Sequence, residues 1–243
     1  MKRFFLIFIT ASLFTACKKE TSSANINSGG TISDTSNIIN QPLSGYGPNI
    51  TDIDGNSYKT VYIGKQHWMA ENLKVSKYND GVEIPNVIDN QQWSQLTSGA
   101  WCYYNNDQEN NILYGKLYNM HVVNLNVNKN VCPIGWHVPS YAEWDTLIDN
   151  LGGLSTAPGK LKVTGSILWK SPNDATNSSL FSATPNGLRD PLGSYSGRGS
   201  QANWMVNNST EIKTIDQNSF VTIAFNQGSN KKNTGLSIRC KRD

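Results

Sequence analysis

The sequence predicts an α+β domain with short, twisted antiparallel sheets, a capped helix at about residues 140–151, and a long loop-rich region after that helix. Three patterns carry this prediction. A hairpin pattern occupies residues 51–64, a helix-capping pattern begins at Ser140, and a second hairpin pattern lies at residues 221–240.

The first pattern predicts a β-hairpin whose turn is Asp54-Gly55-Asn56. Val61 and Ile63 are apolar at alternate positions after this turn, which is typical of a strand with one buried face. The turn sequence also resembles the start of an EF-hand calcium loop. Ile63, however, occupies the position where that loop needs a bidentate glutamate. A hairpin turn is therefore favoured over a calcium site.

The second pattern predicts a helix that begins after Ser140. Ser140 and Glu143 have the spacing of a capping box, in which two free backbone N–H groups at the helix start are satisfied by these side chains. The glycine pair at residues 152–153 ends the helix. One face is apolar with helical spacing: Trp144, Leu147, Ile148 and Leu151.

The third pattern predicts a terminal hairpin with a turn at residues 228–230. Apolar residues occupy alternate positions before and after this turn: Val221, Ile223 and Phe225, then Leu236, Ile238 and Cys240. Cys240 is therefore expected to face the core.

Residues 1–16 predict a lipoprotein signal peptide. Two basic residues are followed by a mostly apolar run at residues 4–14, and two small residues then precede Cys17. The run is shorter than the ~20 residues that a transmembrane helix needs. A cysteine directly after small residues resembles a bacterial lipobox, in which this cysteine becomes the lipidated N-terminus. The alternative is an ordinary signal peptide with an incidental cysteine.

Residues 17–48 predict a flexible tether between the lipid and a domain at residues 49–243. The tether is rich in Ser, Asn, Thr and Gly, so it cannot bury enough apolar area to offset its ordering entropy. The residues after Cys17 lack an aspartate that would favour retention at the inner membrane. We therefore expect the outer membrane, with display on the cell surface as one orientation.

The predicted mature chain is nearly neutral. The full sequence has 21 basic and 18 acidic side chains, and removal of residues 1–16 takes away two basic ones, which leaves 19 against 18. This balance gives no electrostatic reason to expect nucleic acid as a partner.

Three cysteines lie in the predicted domain, namely Cys102, Cys132 and Cys240. An exported domain meets oxidising conditions in which a disulfide is expected, and an odd number leaves one thiol free or paired between molecules. Because Cys240 faces inward and Cys132 precedes the capped helix, we predict a Cys132–Cys240 disulfide and a buried free thiol at Cys102.

Five sequence blocks, in order over about 180 residues, carry a resemblance to one bacterial family. The blocks are Gly64–Leu73, Trp101–Asp107, Tyr114–Asn119, Cys132–Pro139 and Gly235–Cys240. Together they resemble the Fibrobacter succinogenes major paralogous domain, found in exported proteins and lipoproteins of Fibrobacter and Bacteroidetes-type bacteria. The resemblance implies a C-type-lectin-like fold, similar also to that of sulfatase-modifying enzymes, and a cell-envelope setting. It implies no defined chemistry.

The sequence gives no strong signal for catalysis, a cofactor or a metal site. The three histidines are not spaced as metal ligands. Sulfatase-modifying enzymes use active-site cysteines, and the predicted disulfide would consume two of the three available here. We therefore predict a non-enzymatic protein, and an enzyme of that kind is the alternative.

The loop-rich region at residues 154–219 is the predicted site for a glycan or protein ligand. Aromatic faces stack on sugar rings, and planar polar groups bind hydroxyls. Neither Ser171-Pro-Asn173 nor Thr184-Pro-Asn186 has the acidic or amide residue that precedes proline in calcium-dependent lectins. The alternative is a structural envelope protein whose tryptophans are core residues. The predicted ligand-binding residues are Trp169, Asn173, Asp174, Arg189, Asp190, Asn203 and Trp204.

Substitution Cys17→Ser is expected to release the protein from membranes into the soluble envelope fraction. The reason is that each buried CH₂ of an acyl chain contributes about 0.8 kcal/mol to membrane binding, and the variant would carry no acyl chains. Fractionation after a salt wash measures the distribution. A variant that still sediments with membranes would place the anchor elsewhere.

Overall fold

A computed structural model describes residues 45–123, 129–165, 167–207, 211–216, 220–224 and 231–243. The predicted signal peptide, Cys17 and most of the predicted tether lie outside the described residues. The first strand already includes residues 45–48, which the sequence had assigned to the tether.

Short strands and shorter helices make up the described chain. The helices are Asn90–Ser94 (α1), Asn110–Tyr114 (α2), Tyr141–Asn150 (α3) and Ala157–Leu161 (α4). The strands are Gly45–Thr51 (β1), Ser57–Ile63 (β2), Gln66–Met69 (β3), Trp101–Cys102 (β4), Leu117–Asn119 (β5), Trp136–His137 (β6), Asn186–Arg189 (β7), Tyr195–Arg198 (β8), Ala202–Met205 (β9), Glu211–Ile215 (β10), Phe220–Ala224 (β11), Gly235–Leu236 (β12) and Lys241–Arg242 (β13).

Two sheets organise these strands. The first has the order β1-β2-β3-β13-β6, and the second has the order β11-β10-β9-β7-β12-β5-β4, with β8 paired to β7. Pairing between the described strands is antiparallel except between β7 and β9. The predicted α+β class is confirmed.

The first predicted hairpin is confirmed as β1 and β2, with Thr51 opposite Ser57. Asp52 organises the turn, because its Oδ1 accepts hydrogen bonds from the backbone N–H groups of Asp54 and Asn56, at 3.0 and 2.9 Å. The carboxylate therefore works as a turn-forming group. Gly55 has a φ of +85°, a conformation that glycine adopts without steric cost.

The capped helix is confirmed as α3. Ser140 Oγ accepts from the Glu143 N–H at 3.4 Å, and Glu143 Oε2 accepts from the Ser140 N–H at 2.9 Å. Glu143 also lies 3.0 Å from Lys241 Nζ, which links the helix start to β13. The predicted apolar face is buried: Trp144, Leu147, Ile148 and Leu151.

The predicted terminal hairpin is wrong. Strand β11, which contains Val221 and Ile223, pairs with β10, whereas Leu236 in β12 lies opposite Tyr118 in β5. Phe225 and the predicted turn at residues 228–230 lie outside the described residues. The alternation of apolar residues is real in the sequence, but alternation gives no information on which strand becomes the partner.

The prediction of a mainly loop-like stretch at residues 154–219 is also wrong in part. Strands β7, β8, β9 and β10 and helix α4 fall within it. Residues such as Asn186, Gly187 and Gly197 are poor strand formers, so local sequence does not reveal β7 and β8. Pairing with neighbouring strands determines their conformation.

Two hydrophobic clusters dominate the interior. We call the cluster that includes Tyr118, Trp136, Ile238 and the cysteines 132 and 240 the disulfide core. The cluster that includes Trp68, Trp144, Trp169, Phe181 and Trp204 is the tryptophan core. A smaller cluster surrounds Trp93 and Cys102. No helix among the described residues has the length and apolar character needed to cross a membrane.

The predicted cysteine states are confirmed in the structure. Cys132 and Cys240 form a disulfide with a sequence separation of 108 residues. Cys102 is a free, buried cysteine, and burial raises the pKa of its thiol. The disulfide attaches the last segment of the domain to the residues that precede α3.

The double substitution Cys132→Ala and Cys240→Ala is expected to lower the free energy of unfolding by roughly 4–5 kcal/mol. The reason is that the cross-link restricts a long loop in the unfolded chain. Urea unfolding at neutral pH measures the change, with Cys102→Ala as the matched control that keeps the cross-link. A non-reduced digest in which Cys102 is linked to either partner would contradict the assignment.

Candidate functional site

The two tryptophans of the predicted ligand site are core residues. The exposed fraction is 1% for Trp169 and 0% for Trp204. Trp169 Nε1 donates to the Ala183 carbonyl at 3.0 Å, and Trp204 Nε1 donates to Asn72 Oδ1 at 2.9 Å. Neither ring has a free face for a sugar, so the predicted stacking surface is wrong.

Two polar residues of the predicted site are also internal. The Arg189 guanidinium donates to the carbonyls of Val87 and Ile88, at 2.7 and 2.9 Å, and lies over Trp93. Asn203 Oδ1 accepts from the Thr214 hydroxyl at 2.8 Å. These side chains hold strands and loops together inside the domain.

The remaining three predicted residues hold loops and turns of the domain in place. Asp190 Oδ1 accepts from the N–H groups of Leu192 and Ser194, both at 2.9 Å. Asn173 donates to the Gly165 carbonyl at 3.1 Å, and Asp174 forms an ion pair with the buried Lys162. The seven predicted residues therefore do not meet on one accessible surface.

The Thr184-Pro-Asn186 segment uses its asparagine internally. Asn186 Nδ2 donates to the Asn203 carbonyl at 3.1 Å and to Ser237 Oγ at 2.6 Å.

In the parts of the chain that the structure describes, no group of three or more His, Cys, Asp or Glu side chains is placed to hold a metal ion.

A different site is formed by a cavity of about 340 Å³, which we call the Arg239 cleft. Buried residues form its floor and exposed residues form its rim. Its lining comes from eight separate segments of the chain, so no local sequence motif predicts it. The lining residues are Tyr46, Lys59, Ala70, Glu71, Asn72, Lys74, Ile112, Leu113, Gly115, Val163, Leu168, Ser182, Thr184 and Arg239.

The floor is centred on Arg239, which is only 1% exposed. Its Nε and Nη2 donate to Asn72 Oδ1 at 3.1 and 2.9 Å, and Nη1 donates to the Phe181 carbonyl. The guanidinium also lies 4.2 Å from the ring centre of Phe181. Burial lowers the pKa of Arg239 to about 9, because removal from water disfavours the charged form.

Thr184 adds an unused polar group to the floor. Its Oγ1 is buried and has no hydrogen-bond partner among the described residues. A buried hydroxyl that lacks a partner costs about 1–3 kcal/mol.

The rim combines an aromatic ring with apolar side chains. Tyr46, at the start of β1, is 56% exposed, and Ile112 and Leu113 in α2 are more than half exposed as well. The sequence predicted an exposed aromatic face beside polar groups at Trp169 and Trp204. In the structure, Tyr46 and the polar floor of the cleft provide this combination instead.

A second cavity, of about 410 Å³, lies beside the disulfide. Its lining is mainly apolar, and its acidic residue, Asp52, accepts hydrogen bonds within the first hairpin turn. The Arg239 cleft is the stronger candidate because it offers polar groups that the fold leaves without a full set of partners.

Substitution Trp204→Ala is expected to lower the free energy of unfolding by about 3–5 kcal/mol, because it removes a fully buried ring and leaves a cavity. Urea unfolding measures this change. Tyr46→Ala, at the exposed rim, is the matched control and should change the stability by less than about 1 kcal/mol. A Trp204→Ala variant as stable as the control would show that this ring is not part of the core.

One comparison with known proteins supports the family resemblance that the five sequence blocks indicated. The family model described as the Fibrobacter succinogenes major domain matches residues 61–242. This range contains α3, the disulfide and all the floor residues of the Arg239 cleft. A comparison with curated proteins found no match, and a comparison with solved structures found none either. Because the family model covers most of its length, the chain belongs to the Fibrobacter succinogenes major domain family.

Proposed function

We propose that this protein is a lipid-anchored module of the cell envelope that binds a glycan in the Arg239 cleft without catalysis. The observation that carries the proposal is the buried, unpartnered hydroxyl of Thr184 in a cleft whose rim carries the exposed ring of Tyr46. Folded proteins satisfy most of their buried polar groups, so an exception in the lining of a cleft calls for an explanation, and a bound ligand is one.

The cleft suits a small, hydroxyl-rich ligand. Its volume lies near the lower end of the ~300–1,000 Å³ range of small-molecule sites. Ser182 and Thr184 place hydroxyl groups in the lining, and hydroxyl groups can exchange hydrogen bonds with sugar hydroxyls. Asn72 is already engaged by Tyr114, Trp204 and Arg239 and holds the floor in place. The Tyr46 ring offers a face on which the apolar side of a sugar ring can stack.

The proposal of binding without catalysis follows from the chemistry of the lining. Among the described residues of the cleft there is no histidine and no cysteine, the side chains most often used for proton transfer and nucleophilic attack. The Arg239 guanidinium is already committed to carbonyl and amide oxygens. These groups orient a ligand.

The cellular setting of the proposal comes from the N-terminal sequence. A basic start, a short apolar run and Cys17 after small residues support a lipid anchor, and the following residues support the outer membrane with the domain held away from it. A C-type-lectin-like fold belongs to the same proposal, supported by family membership and by the α+β organisation.

A second candidate function is a structural envelope protein without a specific ligand. The burial of Trp169 and Trp204 favours it, because these rings serve the core. The two candidate functions differ in one requirement, because only a binding protein needs the Tyr46 ring to be exposed at the rim of the cleft.

The test is a glycan array with the whole chain carrying Cys17→Ser, followed by titration of the best glycan. Tyr46→Ala is expected to weaken binding roughly three- to tenfold through loss of stacking, with little change in stability. Ile134→Ala is the matched control, because Ile134 is 86% exposed and lies outside the cleft. Failure of every glycan to bind would favour the structural candidate, and binding that Tyr46→Ala leaves intact would place the glycan outside the Arg239 cleft.

A further inference from the structure

We propose that the Arg239 cleft selects glycans that carry a carboxylate, of the uronic acid class, over neutral glycans of the same length. This inference rests on the glycan-binding function proposed above and adds the charge of the ligand. Two features of the cleft carry it: the balance of its charged side chains and the incomplete satisfaction of its floor.

Cations outnumber carboxylates in the cleft. The charged lining residues are Lys59, Lys74 and Arg239 against Glu71. Glu71 is already engaged, because its Oε2 accepts from the Lys59 backbone N–H at 2.8 Å and its Oε1 lies 3.6 Å from Lys74 Nζ. The lining therefore has an excess of positive charge, and its one carboxylate is held beside a lysine.

The Arg239 charge lacks a direct counter-ion in the described structure. No carboxylate oxygen of the described residues lies within 4.0 Å of its guanidinium, and Glu71 acts on it only at longer range. Buried charges are usually paired, because an unpaired charge loses its hydration without compensation. The lowered pKa of Arg239 has the same cause. A ligand carboxylate in the cleft would supply the missing negative charge.

Hydrogen-bond donors for a carboxylate remain in the floor. An arginine has five N–H donors, and the contacts of Arg239 to Asn72, Phe181 and Ser182 use four of them. One N–H of Nη1 is left, and the Thr184 hydroxyl also lacks a partner; both lie beneath the surface of the floor, so a ligand would reach them only after a small shift of the lining. A neutral sugar would accept these hydrogen bonds as well, but only an anion would also gain from the positive surroundings.

Lys59 is the rim cation best placed to contribute. Lys59 is exposed, and its ammonium forms no ion pair with the described residues. The ammonium of Lys74, in contrast, already lies 3.6 Å from a carboxylate oxygen of Glu71. A ligand carboxylate at this rim would meet Lys59 first and the floor donors next. Because Lys59 lies near solvent, we expect its share of the binding to weaken at high salt.

The experiment measures affinity for two matched oligosaccharides, one of uronic acid units and one of the corresponding neutral units, by calorimetry at low and high salt. The protein is the whole chain with Cys17→Ser. We expect roughly tenfold tighter binding of the acidic oligosaccharide at low salt, the size of one charge-assisted hydrogen bond. Lys59→Gln is expected to reduce this preference to about threefold or less. Lys65→Gln, which removes an exposed lysine outside the cleft, is the control.

The outcomes separate this inference from the proposed function. Equal or tighter binding of the neutral oligosaccharide would overturn the carboxylate preference and leave glycan binding intact. Absence of binding by both would overturn both. A sulfated oligosaccharide that binds as tightly as the uronic one would show that charge alone is recognised, which would overturn the carboxylate assignment.

Discussion

The hydrogen bonds between Arg239 and Asn72 join the two hydrophobic cores of the domain. The segment at residues 235–240 is buried throughout, with Leu236, Ile238 and Cys240 in the disulfide core. Arg239, on the other side, packs against Phe181 and Trp204 of the tryptophan core. Asn72 Oδ1 accepts hydrogen bonds from both Arg239 and Trp204. One amide oxygen therefore links the last segment, the aromatic core and the strand connection after β3.

This buried guanidinium also determines what the cleft can do. Carbonyl and amide oxygens replace the water molecules that the Arg239 guanidinium loses on burial. No carboxylate of the described residues is close enough to form an ion pair with it. The fold can tolerate this arrangement where aromatic rings and hydrogen bonds surround the cation. The result is a floor with a buried positive charge, which is the basis of the ligand preference proposed above.

Local patterns in the sequence predicted the elements that local interactions form. The capping box at Ser140 and the turn at Asp54-Gly55-Asn56 are short-range features, and both occur in the structure. The partner of β11 could not be predicted, because alternation does not identify which strand lies alongside. The position of Arg239 between Ile238 and Cys240 was an available signal. A charged residue inside an otherwise buried motif suggests an internal polar network, whereas strict alternation would place it in solvent.

A double-mutant cycle between Asn72→Ala and Arg239→Met measures whether these two side chains stabilise the fold together. Urea unfolding of the original protein, the two single variants and the double variant gives the coupling free energy between the two side chains. We expect a coupling of about 1.5–3 kcal/mol, the size of a buried hydrogen bond to a charged group. Single-variant effects that add to within about 0.5 kcal/mol would contradict it, because Arg239 and Asn72 would then stabilise the fold independently.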